Sequence, residues 1–154
     1  MPAFSPASSR KLNTCHPDLI RIFEEVVWMR DCCIVEGYRN KATQDEYYRL
    51  EKSQVQYPNS NHNKRGPEGM PRSMAADVME YFPAKPHLHW SDLDGMENFA
   101  NYVIGVTNSL LVSGDITHRI RWGADWDGDG VRVDKDSDES FFDGPHFELY
   151  LETS

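Results

Sequence analysis

The spacing of apolar residues along the chain predicts two amphipathic helices. The first covers residues 17–31 and begins with Pro17, which suits the first turn of a helix. Its apolar residues are Leu19, Ile20, Phe23, Val26 and Val27. The second opens at Ser91, has Asp94 at the capping-box position and ends at Gly114. Its apolar stripe consists of Phe99, Tyr102, Val103, Val106 and Leu110.

Four shorter segments have the composition or the alternation of β-strands. They are CCIVEGY at 32–38, SMAADVMEYF at 73–82, THRIRWG at 117–123 and PHFELYL at 145–151. A polar helix is predicted for 41–53, and the Pro-, Asn- and Gly-rich residues 57–72 predict a long loop. The whole pattern predicts an α+β fold in which helices pack on one face of a small, largely antiparallel sheet.

The length of 154 residues suits a single domain with one core. We assign residues 1–11 to a loose or docked N-terminal tail and residues 12–154 to the domain. The N-terminus has no charged region followed by an apolar one, so no signal peptide is expected. No apolar run approaches the roughly 20 residues of a membrane span, so stable membrane insertion is not expected.

Acidic residues are concentrated towards the C-terminus. Residues 125–143 carry -6 of the formal net charge of -9, because they hold eight acids against Arg132 and Lys135. Such a field disfavours nucleic acid as a partner and indicates either a solvated acidic loop or a cation site. The odd number of cysteines and the lack of a CxxC pair predict reduced, mostly buried thiols.

Two histidines and two aspartates are candidates for metal chemistry. His146 points away from the apolar face of the last strand, and Asp143 precedes it by three residues. His62 lies in the long loop, and Asp77 lies on the strand after it. Two imidazoles and one carboxylate are a common zinc ligand set, and zinc can lower the pKa of water from about 15.7 to about 7. Asp143 could then accept the proton, although an ordinary turn aspartate and an edge histidine would look the same.

His87 and His89, in the segment KPHLHW, are competing candidates for metal binding, because alternate residues of a strand point the same way. They follow Pro86 in a loop-like stretch, and no suitably placed base accompanies them. We therefore prefer His62 as the ligand.

Four ordered motifs give the chain a resemblance to a known family. SNH (60–62), SMAAD (73–77) and DGPHFE (143–148) resemble the SxH, GxAxD and (D/E)xxH signatures of certain zinc peptidases. These peptidases include phage L-alanyl-D-glutamate endopeptidases and D-Ala-D-Ala carboxypeptidases. EGYRNKATQ (36–44) resembles the family's segment in which an arginine is followed by a glutamine. The similarity extends from about Leu12 to the end of the chain.

The resemblance implies the fold, the metal and the roles of the main site residues. It implies a hedgehog/D-Ala-D-Ala peptidase-like fold in which His62, Asp77 and His146 bind zinc. Asp143 would be the base that activates water. Arg39 would stabilise the negative charge that develops on the scissile carbonyl oxygen.

Glu148 and Ser60 are candidates for supporting contacts behind the ligands. For Glu148, which shares a strand face with His146, a solvated side chain is the alternative. The chain also departs from the family pattern, because Ser73 replaces the usual glycine and roughly eight extra residues precede Asp77 in a loop whose extension costs little. We expect these departures to affect the fit of the substrate more than metal binding.

The acidic segment DWDGDGVRVDKD (125–136) matches a calcium-loop pattern. Asp125, Asp127 and Asp129 stand at alternate positions, and Asp136 holds the closing position where glutamate is usual. The preceding RIRWGA predicts a strand, whereas an EF-hand loop follows a helix. A calcium-binding loop that orders the base and a solvated insertion therefore stay open as alternatives.

Together with the candidate zinc residues, the resemblance implies a zinc-dependent peptidoglycan endopeptidase, an endolysin that hydrolyses a stem-peptide amide, with L-alanyl-D-glutamate as the first choice. The alternatives are a D,D- or L,D-carboxypeptidase of cell-wall peptides and a non-catalytic, calcium-stabilised phage structural or binding module. The expected cofactor is Zn²⁺, and the expected partner is the peptidoglycan stem peptide. Ca²⁺ is a further candidate cofactor if the acidic loop is a cation site. We expect a monomer that is made in the host cytoplasm and acts on the cell wall or periplasm after release.

Overall fold

The computed structural model describes residues 2–135 and 142–152, and it has the predicted α+β architecture. The helices are α1 (Pro6–Leu12), α2 (Pro17–Met29), α3 (Lys41–Arg49) and α4 (Leu93–Ser113). The strands are β1 (Cys32–Glu36), β2 (Ala75–Glu80), β3 (Arg119–Trp122) and β4 (His146–Tyr150). They form one sheet in the order β1-β2-β4-β3, and every neighbouring pair is antiparallel. The predicted fold class is therefore confirmed.

The two faces of the sheet differ in character because side chains alternate along each strand. In β4, Phe147 and Leu149 are buried in the core that α2 and α4 cover. The Phe147 ring makes edge contacts with Phe23 of α2 at 5.6 Å and with Phe99 of α4 at 6.2 Å. The opposite face carries His146 and the other polar residues of β4. Packing of Phe147 and Leu149 in the core therefore fixes the direction in which the His146 side chain points.

The ends of α4 show how the local sequence sets its limits. The helix is capped by Asp92, whose carboxylate accepts a hydrogen bond from the Gly95 amide at 3.0 Å. The predicted opening residue, Ser91, therefore lies one position before the cap. At the other end Gly114 adopts a positive φ of 82°, which a residue without Cβ accommodates most easily.

The N-terminal segment contains the short helix α1, which docks against the edge strand β1. Ser8 is buried, and its hydroxyl accepts a hydrogen bond from the Ile34 amide at 3.0 Å. The sequence predicted only a loose or docked tail here. The helix has seven residues and one buried leucine, Leu12, so the sequence shows no helical apolar period. Its docking covers part of the otherwise open edge of β1.

The remaining sequence expectations concern cysteines and the membrane. All three cysteines are free, and Cys15 and Cys32 are buried, whereas Cys33 is half-buried. Burial raises the pKa of the Cys15 thiol to about 12. In the described part of the chain, no helix combines the length and the apolar character needed to cross a membrane.

Candidate active site

A capped 3-10 turn holds His62 in place. The Ser60 hydroxyl accepts a hydrogen bond from the His62 amide at 3.2 Å, and the Asn63 side chain accepts one from the Ser60 amide at 3.1 Å. This reciprocal cap satisfies two backbone donors that would otherwise be unpaired. The His62 ring is buried beneath the turn with only 2% exposure. Ser60 thus helps to position the His62 ring by fixing the backbone of the turn.

Strand pairing brings Asp77 of β2 and His146 of β4 side by side. The two residues are direct partners in the antiparallel register, so their side chains point to the same face of the sheet. The turn before β4 is fixed by Gly123, whose amide donates to the His146 carbonyl at 2.7 Å and whose carbonyl accepts from the Asp143 amide at 2.8 Å. The Trp122 indole also donates to the Gly144 carbonyl at 2.6 Å.

His62, Asp77 and His146 converge on one point. Asp77 Oδ1 lies 3.3 Å from His62 Nε2 and 3.3 Å from His146 Nδ1, and these two ring nitrogens are 3.2 Å apart. The same Oδ1 atom is buried and makes no hydrogen bond of acceptable geometry. A buried oxygen left in this state is costly unless a cation or a well-placed donor satisfies it. The three donor atoms therefore fit a metal ion.

Both histidine rings are oriented by contacts on their other nitrogen. His62 Nδ1 lies 2.8 Å from the Gly37 carbonyl, and His146 Nε2 lies 2.8 Å from a Glu148 carboxylate oxygen. Because each of these partners is an acceptor, each ring can donate a proton to it, which leaves the nitrogen that faces Asp77 free to bind a cation. Glu148 therefore lies behind the His146 ring, and its side chain is largely buried rather than in open solvent.

The electrostatics of the cluster favour a positive charge at this point. Burial opposes ionisation of Asp77, but the charges and hydrogen bonds of His62 and His146 outweigh it and hold the pKa of Asp77 well below its usual range. Burial likewise disfavours charge on His146, yet Asp77 and Glu148 raise the pKa of His146 to about 10. A proton or a metal ion can supply the charge that these carboxylates stabilise.

Asp143 lies beside the cluster without being one of its three converging donors. Its Oδ2 is 3.9 Å from His146 Nδ1, and a third of its side chain is exposed. Burial and the nearby charge of Asp77 raise the pKa of Asp143. A carboxylate with a raised pKa, placed next to the convergence point, suits a proton acceptor.

Arg39 lies at the edge of the cluster in a network that the sequence did not predict. Its guanidinium donates two hydrogen bonds to Glu36, at 2.9 and 3.0 Å, and a third to Gln44 at 2.8 Å. Nη2 also lies 3.9 Å from Asp77 Oδ2, and the guanidinium stacks over the Tyr47 ring at 4.6 Å. Glu36 comes close to Asp77 because it is the register partner of Asp77 after an irregularity in β1.

The cluster opens into a cleft of about 350 Å³. One side is formed by the segment after α3, and another by the turn that carries His62. The Trp126 ring borders the cleft and lies 5.4 Å from the His146 ring. The cleft is lined by Arg39, Lys52, Ser53, Gln54, Val55, Asn59, Ser60, Asn61, His62, Trp126, Asp143, His146 and Glu148. A peptide could therefore reach both the convergence point and Asp143.

A family model described as phage L-alanyl-D-glutamate peptidase matches residues 2–150. The chain belongs to this family. Its fold is similar to the crystal structure of the L-Ala-D-Glu endopeptidase ChiX of Serratia marcescens, with a TM-score of 0.66 and 23% sequence identity. That match covers 97% of this chain and 91% of the other. No curated protein matches the sequence. The predicted resemblance to this peptidase family is therefore confirmed.

The competing histidines of the sequence lie elsewhere. His87 Nδ1 donates a hydrogen bond to the Phe82 carbonyl at 2.8 Å, and the His87 ring stacks on Tyr81, while the His89 ring stacks on Phe82. Neither ring lines the cleft or joins a cluster of metal-binding groups in the described ranges 2–135 and 142–152. The rings of His87 and His89 are thus engaged in aromatic contacts away from the cleft.

The acidic loop forms a second cluster of carboxylates. Oxygens of Asp125, Asp127 and Asp129 lie within 4.8 Å of one another, and Asp125 Oδ1 is buried without a hydrogen bond. Burial and the neighbouring aspartates raise the pKa of Asp125. The predicted closing residue, Asp136, lies outside the described residues. The loop also carries Trp126, so its conformation is linked to the wall of the cleft.

Substitution of Gly123 by alanine should disturb the turn that positions Asp143 and His146. A Cβ at this position would overlap the Asp143 carbonyl oxygen and lie 2.8 Å from the His146 Cβ. We expect Gly123→Ala to lower the free energy of unfolding by about 1–3 kcal/mol, as overpacking does. Urea denaturation measures this change.

Gly105→Ala is the matched control, because a Cβ at this exposed position in α4 meets no atom within 4 Å. Alanine in a helix interior should stabilise by about 0.5–1 kcal/mol relative to glycine. Equal effects of the two substitutions would contradict the close packing assigned to Gly123.

Proposed function

We propose that this chain is a zinc-dependent endopeptidase that hydrolyses the L-alanyl-D-glutamate amide in the peptidoglycan stem peptide. The observation that carries the proposal is the convergence of His62, Asp77 and His146 around a buried carboxylate oxygen that lacks a hydrogen bond. Membership of the phage L-alanyl-D-glutamate peptidase family supports the choice of bond. The cleft beside the cluster supports a peptide substrate.

Zinc is the metal that the donor set supports best. Two imidazole nitrogens and one carboxylate oxygen match the three-ligand sets of catalytic zinc sites, which leave one position for water or substrate. Hard cations such as magnesium favour oxygen donors instead. Zinc bound here would supply Lewis-acid activation of water and of the scissile carbonyl.

The remaining steps of the proposed reaction fall to residues of the cleft. The Asp143 carboxylate would accept a proton from the attacking water and deliver it to the leaving amine of the D-glutamyl residue. The Arg39 guanidinium would stabilise the negative charge on the former carbonyl oxygen. Glu36 and Gln44 hold that guanidinium in a fixed orientation, which lowers the cost of reorganisation during the reaction.

The family match favours this function over the alternatives. A D,D- or L,D-carboxypeptidase would need a residue that recognises a terminal carboxylate, whereas the matching family is described by cleavage of an internal bond. A non-catalytic phage module would not need a complete set of two histidines and two aspartates around one cleft. We therefore propose an endolysin that acts as a monomer on the cell wall after release from the host cytoplasm.

Hydrolysis of purified peptidoglycan tests the proposal. We expect the zinc-loaded protein to release new L-Ala carboxyl and D-Glu amino termini, identified by mass spectrometry. Asp143→Asn should keep stoichiometric zinc but lose activity by about 10²-fold to 10⁴-fold, the usual contribution of a positioned acid or base. His146→Ala should lose both zinc and activity.

Glu24→Gln, at an exposed position on α2, is the control and should behave like the parent protein. Release of D-Ala alone would support a carboxypeptidase. A parent protein that binds one zinc ion yet cuts no stem-peptide bond would contradict the proposed function.

We propose in addition that the acidic loop binds calcium through Asp125, Asp127 and Asp129. The buried, unbonded Oδ1 of Asp125 supports this proposal, because calcium takes carboxylate oxygens at flexible geometry. Since Trp126 sits between two of these residues and contacts His146, an ordered loop would fix one wall of the cleft. Calcium would then act on the shape of the cleft without touching zinc.

Calcium titration tests the loop proposal. We expect calcium to raise both the melting temperature and the peptidase activity of the zinc-loaded protein. Asp127→Asn should abolish both responses while leaving the zinc content unchanged, and Glu24→Gln should retain them. An identical calcium response in the Asp127→Asn variant would overturn the proposal.

A further inference from the structure

The cleft contains a lysine, Lys52, that has no role in the proposed reaction. Lys52 follows α3 and lines the cleft, and its ammonium lies 5.8 Å from the centre of the Tyr47 ring. In the described part of the chain, no carboxylate lies within 4.0 Å of this ammonium. The lysine is exposed, so its charge is available to a bound ligand.

The other cation of the cleft is already compensated. Arg39 makes a two-pronged ion pair with Glu36 and approaches Asp77. Both cations lie against the same ring, because the Arg39 guanidinium is 4.6 Å from the centre of Tyr47. Among the described residues that line the cleft, Lys52 is therefore the cation that makes no ion pair within 4.0 Å.

The substrate proposed above must bring a negative charge into this cleft. Glutamate has two carboxyl groups, and a peptide that continues beyond a glutamyl residue uses only one of them. The second is a free carboxylate on the residue whose nitrogen is the leaving group. Asp143 and Glu148 also line the cleft and would repel it, so a nearby cation is needed to hold it.

We propose that Lys52 forms a carboxylate-binding subsite for the free carboxyl group of the D-glutamyl residue. The proposal rests on the proposed function, because it places that residue on the leaving-group side of the cut bond. The Tyr47 ring supports the lysine at the margin of the cleft, beside Arg39. Lys52 is a specificity-determining residue and takes no part in bond cleavage.

The subsite makes the enzyme sensitive to one chemical change in the wall. Amidation of the free carboxyl group removes its charge and replaces an acceptor oxygen by an NH₂ donor, which cannot pair with an ammonium. Stem peptides amidated at this position should therefore be cut more slowly than those with the free acid. This difference in cleavage rate should depend on Lys52 and not on the metal cluster.

A cross of two substrates and two lysine variants tests the subsite. The substrates are stem peptides that differ only in the free or amidated state of the D-glutamyl carboxyl group. We expect the zinc-loaded parent protein to cut the acid with a kcat/KM about tenfold higher than the amide, the size expected for one charge-assisted hydrogen bond. Lys52→Gln should lower kcat/KM for the acid by about the same factor and leave the amide within about twofold.

Lys52→Arg should restore most of the preference for the acid, since it keeps the charge. Lys85→Gln, at an exposed lysine that does not line the cleft, should change neither substrate. An equal loss on both substrates in Lys52→Gln, or no preference in the parent protein, would overturn the subsite. Failure of the parent protein to cut either peptide would instead refute the proposed function.

Discussion

The antiparallel pairing of β2 with β4 is the constraint on which the site depends. Asp77 and His146 are register partners, so a shift of one residue in either strand would turn one of them into the core. The register is held from the opposite face, where Ala76 pairs with Phe147 and the Phe147 ring packs between α2 and α4. Core packing and the geometry of the proposed metal site are therefore two consequences of one strand alignment.

The third proposed ligand comes from a different kind of structure. His62 lies on a 3-10 turn outside the sheet, and its position depends on the cap at Ser60 and on the hydrogen bond from its ring to Gly37. Arg39 is tied to the same turn, since its amide donates to the His62 carbonyl at 2.8 Å. The sheet thus supplies two donor groups of the cluster, and a hydrogen-bonded turn supplies the third and binds the backbone of Arg39.

The sequence predicted the parts of the molecule that depend on short-range pattern. The α+β class, the main helices and the strand that carries His146 follow from apolar spacing, and ordered motifs led to the peptidase family. The ion pair between Glu36 and Arg39 could not be predicted, because it depends on how an irregular strand places Glu36 next to Asp77. The place of Lys52 in the cleft could not be predicted either. No family motif contains this residue, and it reaches the cleft only because the fold brings the segment after α3 there.

The most direct test of the central claim is anomalous diffraction at the zinc edge from crystals of the zinc-loaded protein. We expect one strong peak bound by His62 Nε2, His146 Nδ1 and an oxygen of Asp77, with Asp143 nearby but unbound. A peak at the acidic loop alone, or ligation through the opposite ring nitrogens, would contradict the assignment of the site.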